Sequence, residues 1–447
     1  MAMVHGKLFI VKIMEEETMG FAKELWQQQQ DQGFDFVGDK YVCAECFGDC
    51  VIQEFIDDNA EAKTCSYCGN SSSRPIAAHM DTVMAFILEG IEFEWGDPDN
   101  EGVLYETAEG GYQGKVIDSW DLITDEIWDE LEIRTDSLRE DIINSIRDRQ
   151  WCQRNFWELE PEQALIFSWE QFVQQVKYHA RYVFFRVDDD SDTLWDTNTT
   201  PLSKMLDELG RMASDLDLVE VLEPGTRIWR VRIHDKSERF DTAKELGTVP
   251  PDKAKYSNRM SPAGIPMFYG ALDELTALKE TVEGREQDST IATIAPWRII
   301  HQMRVLNLER LPKVPSLFDE SKRESRPRLQ FLYSFRNDIS KPIIKDGQEH
   351  IEHVPTQIVA EYFRHMYRDT EGNRVTGILY PSARNSGGIA CVLFVKNEGC
   401  CDTLDEAQMD GERGKQKYLL LEKNQIKGVT FEVRCGLNVT EDPLFGS

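Results

Sequence analysis

The sequence predicts an α+β protein in which a zinc knuckle and a helical region precede a mixed α/β region. Three observations predict it. Two Cys-x-x-Cys pairs lie close together near the start, apolar residues recur at helical spacing between 78 and 212, and period-two segments mix with helices beyond 225. A chain of 447 residues exceeds one ordinary core, and 41% hydrophobic residues suffice to bury two or three. The expected division is 19–75 for the knuckle, 76–222 for the helical region and 225–445 for the mixed region. The break falls at Leu222-Glu223-Pro224-Gly225.

The knuckle comes first. Five of the ten cysteines fall within 43–68, and Cys43-x-x-Cys46 with Cys65-x-x-Cys68 has the paired spacing that holds Zn²⁺ tetrahedrally. Gly48 and Gly69 ease the two turns. Four thiolates leave no open position for water, so the metal is expected to be structural, with Cys50 a bystander. Cys400 and Cys401 are adjacent and are expected to be incidental.

Helices follow. Residues 78–91 read as a helix, and 97–114 as an acidic loop containing glycine. Residues 137–149 carry Leu138, Ile142, Ile143 and Ile146 on one face after a Ser137 cap. Residues 161–181 open on Pro161 and space Leu165, Trp169, Phe172, Val173 and Val176 helically. Residues 201–212 repeat the pattern with Leu202, Met205, Leu206 and Leu209. The run Asp188-Asp189-Asp190-Ser191-Asp192 lacks the ligand alternation of a calcium loop and reads as solvated.

The mixed region begins with Ile228-Trp229-Arg230-Val231-Arg232, whose alternation predicts a strand with both arginines on one face. Residues from Asp273 onward read as a helix with Leu275 and Leu278 inward and Glu274 solvated in its first turn. Residues 358–367 read as a helix for which Thr356 offers a cap, and 389–395 as a buried strand. His350, His353 and His365 have no ligand spacing and are expected to be structural.

Charge narrows the function. With 80 acidic against 50 basic residues the formal charge is −30, which repels nucleic acid and anionic membranes. No apolar run approaches membrane-spanning length, and the run from Lys7 to Val11 is too short for a signal peptide, so a soluble cytoplasmic protein is expected. Neither a Gly-rich dinucleotide fingerprint nor a phosphate loop is present, which argues against hydride transfer and nucleotide hydrolysis.

The most informative stretch runs R-M-S-P-A-G-I-P-M-F-Y-G-A-L-D-E-L-T-A-L-K-E over 259–280, with Tyr380-Pro381-Ser382-Ala383 about a hundred residues on. Arg259, Gly264, Pro266, Tyr269, Ala277, Leu278, Glu280 and Ser382 at these spacings resemble the RES-domain family over roughly 225–400. Met260 and Ser261 depart from it, standing where the family pattern has an aromatic residue and an asparagine. The resemblance implies an ADP-ribosyltransferase-like fold and degradation of NAD⁺ by a bacterial toxin of the toxin–antitoxin kind or by a phage-defence effector. It also makes Arg259, Tyr269, Glu280 and Ser382 the candidate catalytic residues.

The residues themselves suit that chemistry. A planar guanidinium fixes a pyrophosphate by paired hydrogen bonds, so Arg259, Arg230 and Arg232 are candidates for holding NAD⁺. The strand arginines read equally as surface ion-pair formers. Breaking the nicotinamide–ribose bond develops an oxocarbenium-like cation that a carboxylate stabilises, the role expected of Glu280. Tyr269 either stacks on the substrate or is a core tyrosine with a satisfied hydroxyl. Ser382 can donate to a ribose or phosphate oxygen, and no His–acid pair beside it suggests a hydrolase triad.

The phrases Y-V-C-A-E-C-F and E-G-G-Y-Q-G resemble the HEPN-like domain fused to some RES proteins. Some HEPN domains are ribonucleases with Arg-x(4–6)-His, a spacing that Arg74 and His79 fit, although Pro75 stands where a polar residue is usual. The expectation is an NAD⁺ glycohydrolase or phosphorylase using water or inorganic phosphate, under a sensing, dimerising or inhibitory N-terminal scaffold. An antitoxin or a phage-derived trigger is the expected regulator and a homo-oligomer the expected assembly. Protein ADP-ribosylation, the ribonuclease and a non-catalytic ADP-ribose binder are the alternatives.

Overall fold

The structure is a computed structural model, and it describes residues 33–106, 111–112, 114–154, 161–183, 202–282, 290–341, 348–412, 414, 416–432 and 438–441. The N-terminal part of the expected knuckle region (19–32), Lys7 to Val11 and the 188–192 acidic run lie outside the described residues. The chain divides into two compact units, one of Met1–Glu160 with Val314–Pro327 and one of Pro161–Lys313 with Arg328–Ser447.

In the first unit the strand Tyr41–Cys43 pairs antiparallel with Ala77–His79. Asp49 starts the helix Cys50–Asp58 by accepting from the backbone N–H groups of Val51 and Ile52. The helix Met80–Glu94 buries Val83, Met84, Ile87 and Ile91. It begins later than the expected 78, because Ala77 and Ala78 are strand and His79 is its cap. The helix Asp136–Ser145 buries Leu138 and Ile142; its N-cap is Thr135, not Ser137. Within the expected acidic loop, Tyr105–Glu106 and Gly111–Tyr112 form a small antiparallel ladder. The core gathers Phe47, Ile52, Ile56, Trp151, Leu317 and Phe318. Arg326, 1% exposed, lies between Glu94 at 3.0 Å and Glu130 at 2.8 Å, so its buried charge is paired on both sides.

The second unit is organised by an eleven-stranded sheet among its described residues. Its strands are β1 (Val219–Leu222), β2 (Arg227–Asp235), β3 (Phe268–Ala271), β4 (Thr290–Ile299), β5 (Met303–Asn307), β6 (Gly377–Pro381), β7 (Ile389–Leu393), β8 (Cys400–Cys401), β9 (Leu419–Leu421), β10 (Lys427–Glu432) and β11 (Asn438–Glu441). The order is β8-β9-β4-β2-β3-β7-β6-β5-β1, with β10 on β4 and β11 on β10. Most pairs are antiparallel. The pair β5–β6 is parallel, and the helices Arg326–Ser340 and Val354–His365 lie in the connection that such a pairing requires.

Apolar residues cover the sheet in separate clusters. One joins Trp169, Phe172, Met205, Leu209, Phe331, Phe335 and Phe363 of the helices to Tyr380 and Val392. Another holds Ile228, Phe268, Trp297 and Leu379. The helix Glu274–Val282 adds Ala277, Leu278 and Val282 to Val231, Ala292 and Ile294. Leu275, expected inward, is 49% exposed, because the stripe facing the strands runs through the other three. Among the described residues no helix is long and apolar enough to cross a membrane.

Candidate functional site

Register places the site's aromatic wall. In an antiparallel ladder, directly paired and alternate residues share a face. Tyr269 pairs with Val392 and Ala271 with Ala390, while Tyr380 pairs with Ala390. Tyr269 and Tyr380 therefore rise from the same face of the sheet, with small Ala390 between their strands. Burial raises both phenols above the usual tyrosine range. Gly270 lets the strands close up, since a Cβ there would lie 2.7 Å from the Trp229 carbonyl oxygen.

Both tyrosines line a cleft of about 680 Å³, within the size range of small-molecule sites. Arg230, Arg232, Lys253 and Lys255 line it too, and Glu280 is the one carboxylate among its described lining residues. A cation-rich cleft in a chain of net charge −30 is the reverse of the molecule's average surface.

The two strand arginines are anchored to backbone. Arg230 donates through Nε to the Leu246 carbonyl at 3.0 Å and through Nη1 to that of Tyr269. Arg232 donates through Nη2 to the Gly247 carbonyl at 2.6 Å, and its buried Nε has no hydrogen-bond partner among the described residues. Burial pulls both guanidinium pKa values below their usual range, and the neighbouring Arg232 adds to this at Arg230. Guanidinium still holds its proton at neutral pH.

Arg259 sits in a tight turn closed by mutual backbone hydrogen bonds between Asn258 and Ser261. The helix Val354–His365 clamps that turn. Thr356 donates to the Arg259 carbonyl, and Gln357 Nε2 donates to Ser257 Oγ at 2.6 Å and to the Asn258 carbonyl at 2.8 Å. Thr356 does not cap the helix as expected, because the helix starts at Val354, four residues before the expected 358, with His353 as its N-cap. The Arg259 guanidinium donates to the Ile339 carbonyl at 2.6 Å. Ser261, in the family's asparagine position, lies 3.1 Å from the Tyr269 hydroxyl, which also accepts from Met260 N at 3.0 Å. Tyr269 is thus a half-buried tyrosine with a satisfied hydroxyl that packs against the core and also lines the cleft.

Glu280 projects from the helix Glu274–Val282, and Ser382 follows β6 directly. Ser382 Oγ donates to Glu280 Oε1 at 2.6 Å and accepts from the backbone N–H groups of Arg384 and Asn385. Neither Arg259 nor Ser382 is part of the cleft wall itself. Glu274, expected to be solvated, pairs with Lys427 at 3.0 Å.

Sequence reasoning missed Lys253, Lys255, Tyr256, Thr276 and Asn385. For the lysines a signal existed: cations just before the Arg259 motif in an acidic chain. For Thr276 and Asn385 there was none, since both are common polar residues whose meaning comes from their tertiary partners.

In the first unit Cys43, Cys46, Cys65 and Cys68 bring their sulfurs within 4.8 Å of one another. The closest separations are 3.4 Å, 3.6 Å and 3.8 Å. Tetrahedral zinc with bonds of about 2.3 Å needs sulfurs about 3.8 Å apart, so the donor set fits. Burial raises Cys43 to about 12 and Cys46 higher. At Cys65 burial is more than offset by the backbone N–H groups of Cys68 and Tyr67, leaving it at about 7. Burial and the neighbouring cysteines thus disfavour the thiolates of Cys43 and Cys46, a cost that a shared cation would offset. No other metal-holding group of His, Cys, Asp or Glu occurs among the described residues, and His350, His353 and His365 belong to none.

Arg74 is exposed ahead of a strand, whereas His79 caps a helix by accepting from Asp81 N at 3.3 Å. His79 also packs against the Phe36 and Tyr41 rings. No hydrogen bond or ring contact joins Arg74 to His79 in the described residues.

Residues 58–190 match the family HEPN/RES N-terminal domain 1, and residues 227–412 match the RES domain. No curated protein and no solved structure matches the chain.

Proposed function

From a chain that is a HEPN/RES N-terminal domain fused to a RES domain, we propose an enzyme that consumes NAD⁺ by cleaving its nicotinamide–ribose bond. The RES domain supports an NAD-acting role, and one observation carries the finer reading. Among its described lining residues, a cation-lined cleft of about 680 Å³ presents a single carboxylate, Glu280, held by the hydroxyl of Ser382. Cations suit the pyrophosphate, and a lone oriented carboxylate suits a cationic transition state.

In the proposed step the bond from ribose C1′ to the nicotinamide nitrogen breaks. Its electron pair leaves with nicotinamide, which becomes neutral, and positive charge develops on the ribose. Glu280 stabilises that charge. With Oε1 accepting from Ser382, Oε2 is left to orient a ribose hydroxyl or the nucleophile. When water attacks C1′, its proton passes to Glu280; when inorganic phosphate attacks, a phosphate oxygen forms the new bond and no proton need move. Arg232, Lys253 and Lys255 hold the pyrophosphate. Arg259 acts from behind the wall, where its charge also lies close enough to bias Tyr269 and Tyr380. Tyr269 and Tyr380 give the nicotinamide end an apolar, water-poor face.

Zn²⁺ bound by Cys43, Cys46, Cys65 and Cys68 would be structural and take no part in this chemistry. The proposed setting is a cytosolic toxin or phage-defence effector whose N-terminal unit restrains it until an antitoxin is lost or a trigger binds. The test is incubation of purified protein with NAD⁺, with and without phosphate, following nicotinamide, ADP-ribose and its 1″-phosphate. Nicotinamide release supports the reading, and the second product distinguishes water from phosphate as acceptor. Modification of an added protein without free ADP-ribose would redirect it to transfer.

A further inference from the structure

Beyond the residues already given a role, one side chain ties the two halves of the Glu280–Ser382 pair together. Asn385 Nδ2 donates to Thr276 Oγ1 at 2.7 Å, and Lys279 Nζ donates to Asn385 Oδ1 at 2.9 Å. Its backbone N–H donates to Ser382 Oγ at 3.0 Å. Thr276 and Lys279 lie on the helix that carries Glu280, whereas Asn385 lies in the loop that carries Ser382. The amide thus bolts the serine loop onto the glutamate helix.

The chemistry of this bolt is narrow. Thr276 is fully buried and gives its hydroxyl proton to Asp273 Oδ2 at 2.6 Å, so it can only accept from residue 385. Lys279 can only donate. Residue 385 must therefore present a donor to one side and an acceptor to the other, as a side-chain amide does. Space is equally restricted. A Cβ on Gly388 would fall 2.2 Å from Thr276 Oγ1 and 2.8 Å from Asn385 Nδ2, so the loop closes onto the helix at a glycine.

We infer that Asn385 is a positioning residue for the proposed NAD⁺ cleavage: its amide sets the direction of the Ser382 hydroxyl toward Glu280 by fixing the 382–388 loop on the Glu274–Val282 helix. This rests on the reading of Glu280 and Ser382 as the reacting pair. Asn385 touches no substrate in this account and acts through Ser382.

The experiment measures NAD⁺ turnover of full-length wild type, Asn385→Ala, Asn385→Asp, Ser382→Ala and the Asn385→Ala/Ser382→Ala double variant, with melting temperatures for all. Asn385→Ala is expected to lower kcat by about tenfold or more, the effect of releasing one oriented hydrogen bond, with KM little changed. Asn385→Asp keeps the Lys279 contact but offers Thr276 no donor, and is expected to fall with the alanine variant. In the Ser382→Ala background the Asn385 change should add no further loss of kcat, the non-additivity of residues acting through one another. Equal losses of kcat in both backgrounds, or wild-type kcat in Asn385→Ala, would overturn the inference. Absence of turnover by wild type defeats the proposed activity itself. Should the alanine variant melt too low to assay, Asn385→Gln and Thr276→Val supply the same cycle with Ser382→Ala.

Discussion

Ser382 Oγ donates to Glu280 Oε1 at 2.6 Å although 102 residues of sequence separate the two. One lies after a sheet strand and the other on a helix packed over that sheet, so only the folded second unit joins them. The backbone N–H groups of Arg384 and Asn385 also reach the serine oxygen, which leaves its proton one well-defined acceptor.

Replacing Ser382 by alanine removes that restraint but leaves the carboxylate. We expect kcat to fall about tenfold to a hundredfold, the effect of a charge-assisted hydrogen bond of roughly 1.5–3 kcal/mol. Circular dichroism should be unchanged. Wild-type kcat in this variant would show that the pair is structural.

The cleft lysines are expected to act on binding. Lys253→Ala and Lys255→Ala should raise KM for NAD⁺ by about tenfold or less at near-constant kcat, because they meet the pyrophosphate alike in ground and transition states. The effect should shrink with added salt. A fall in kcat at unchanged KM would place them elsewhere in the mechanism.

Zinc removal is expected to act on the first unit. Structural zinc in small knuckles binds with about 10–16 kcal/mol, much of which is folding free energy. Elemental analysis should find one zinc per chain in wild type and a deficit in Cys65→Ser, with a lower first melting transition in the variant. Zinc-free wild type with the same melting curve would refute the metal.

His353 predicts an acid-side loss of stability. Burial, with Arg259 adding to it, lowers its pKa from 6.5 to about 4 against the opposing pull of Glu349 and Glu352. The unfolded chain binds this proton more readily than the folded one, so the contribution is present above 6.5 and is lost as pH falls toward about 4. Urea unfolding of wild type and His353→Gln across that window should differ in slope by up to one proton. Parallel curves would mean that His353 is not held neutral.

What the sequence revealed and what it hid divide along physical lines. The cysteine cluster was legible because its ligands come in two local pairs whose spacing sets the geometry. Strand alternation at 228–232 put Arg230 and Arg232 on one face, but could not tell that Leu246, Gly247 and Tyr269 would supply carbonyls to them there. Helical spacing found the helix after Asp273 yet turned Leu275 inward, because periodicity fixes a stripe only when the packing partner is known. The long sheet was largely invisible, since β8, β9 and β1 are strands of two to four residues whose pairing is decided by distant neighbours. The Asn385–Thr276–Lys279 bolt lies wholly at that tertiary level.

The most direct test of the account is nicotinamide release from NAD⁺ by wild type and by Glu280→Gln at matched folded concentration. Glutamine keeps the shape and can still meet Ser382 while losing the charge, so release should fall by about a hundredfold or more at an unchanged melting temperature. Equal release by the two proteins would contradict the assignment of Glu280 and, with it, the reading of the cleft.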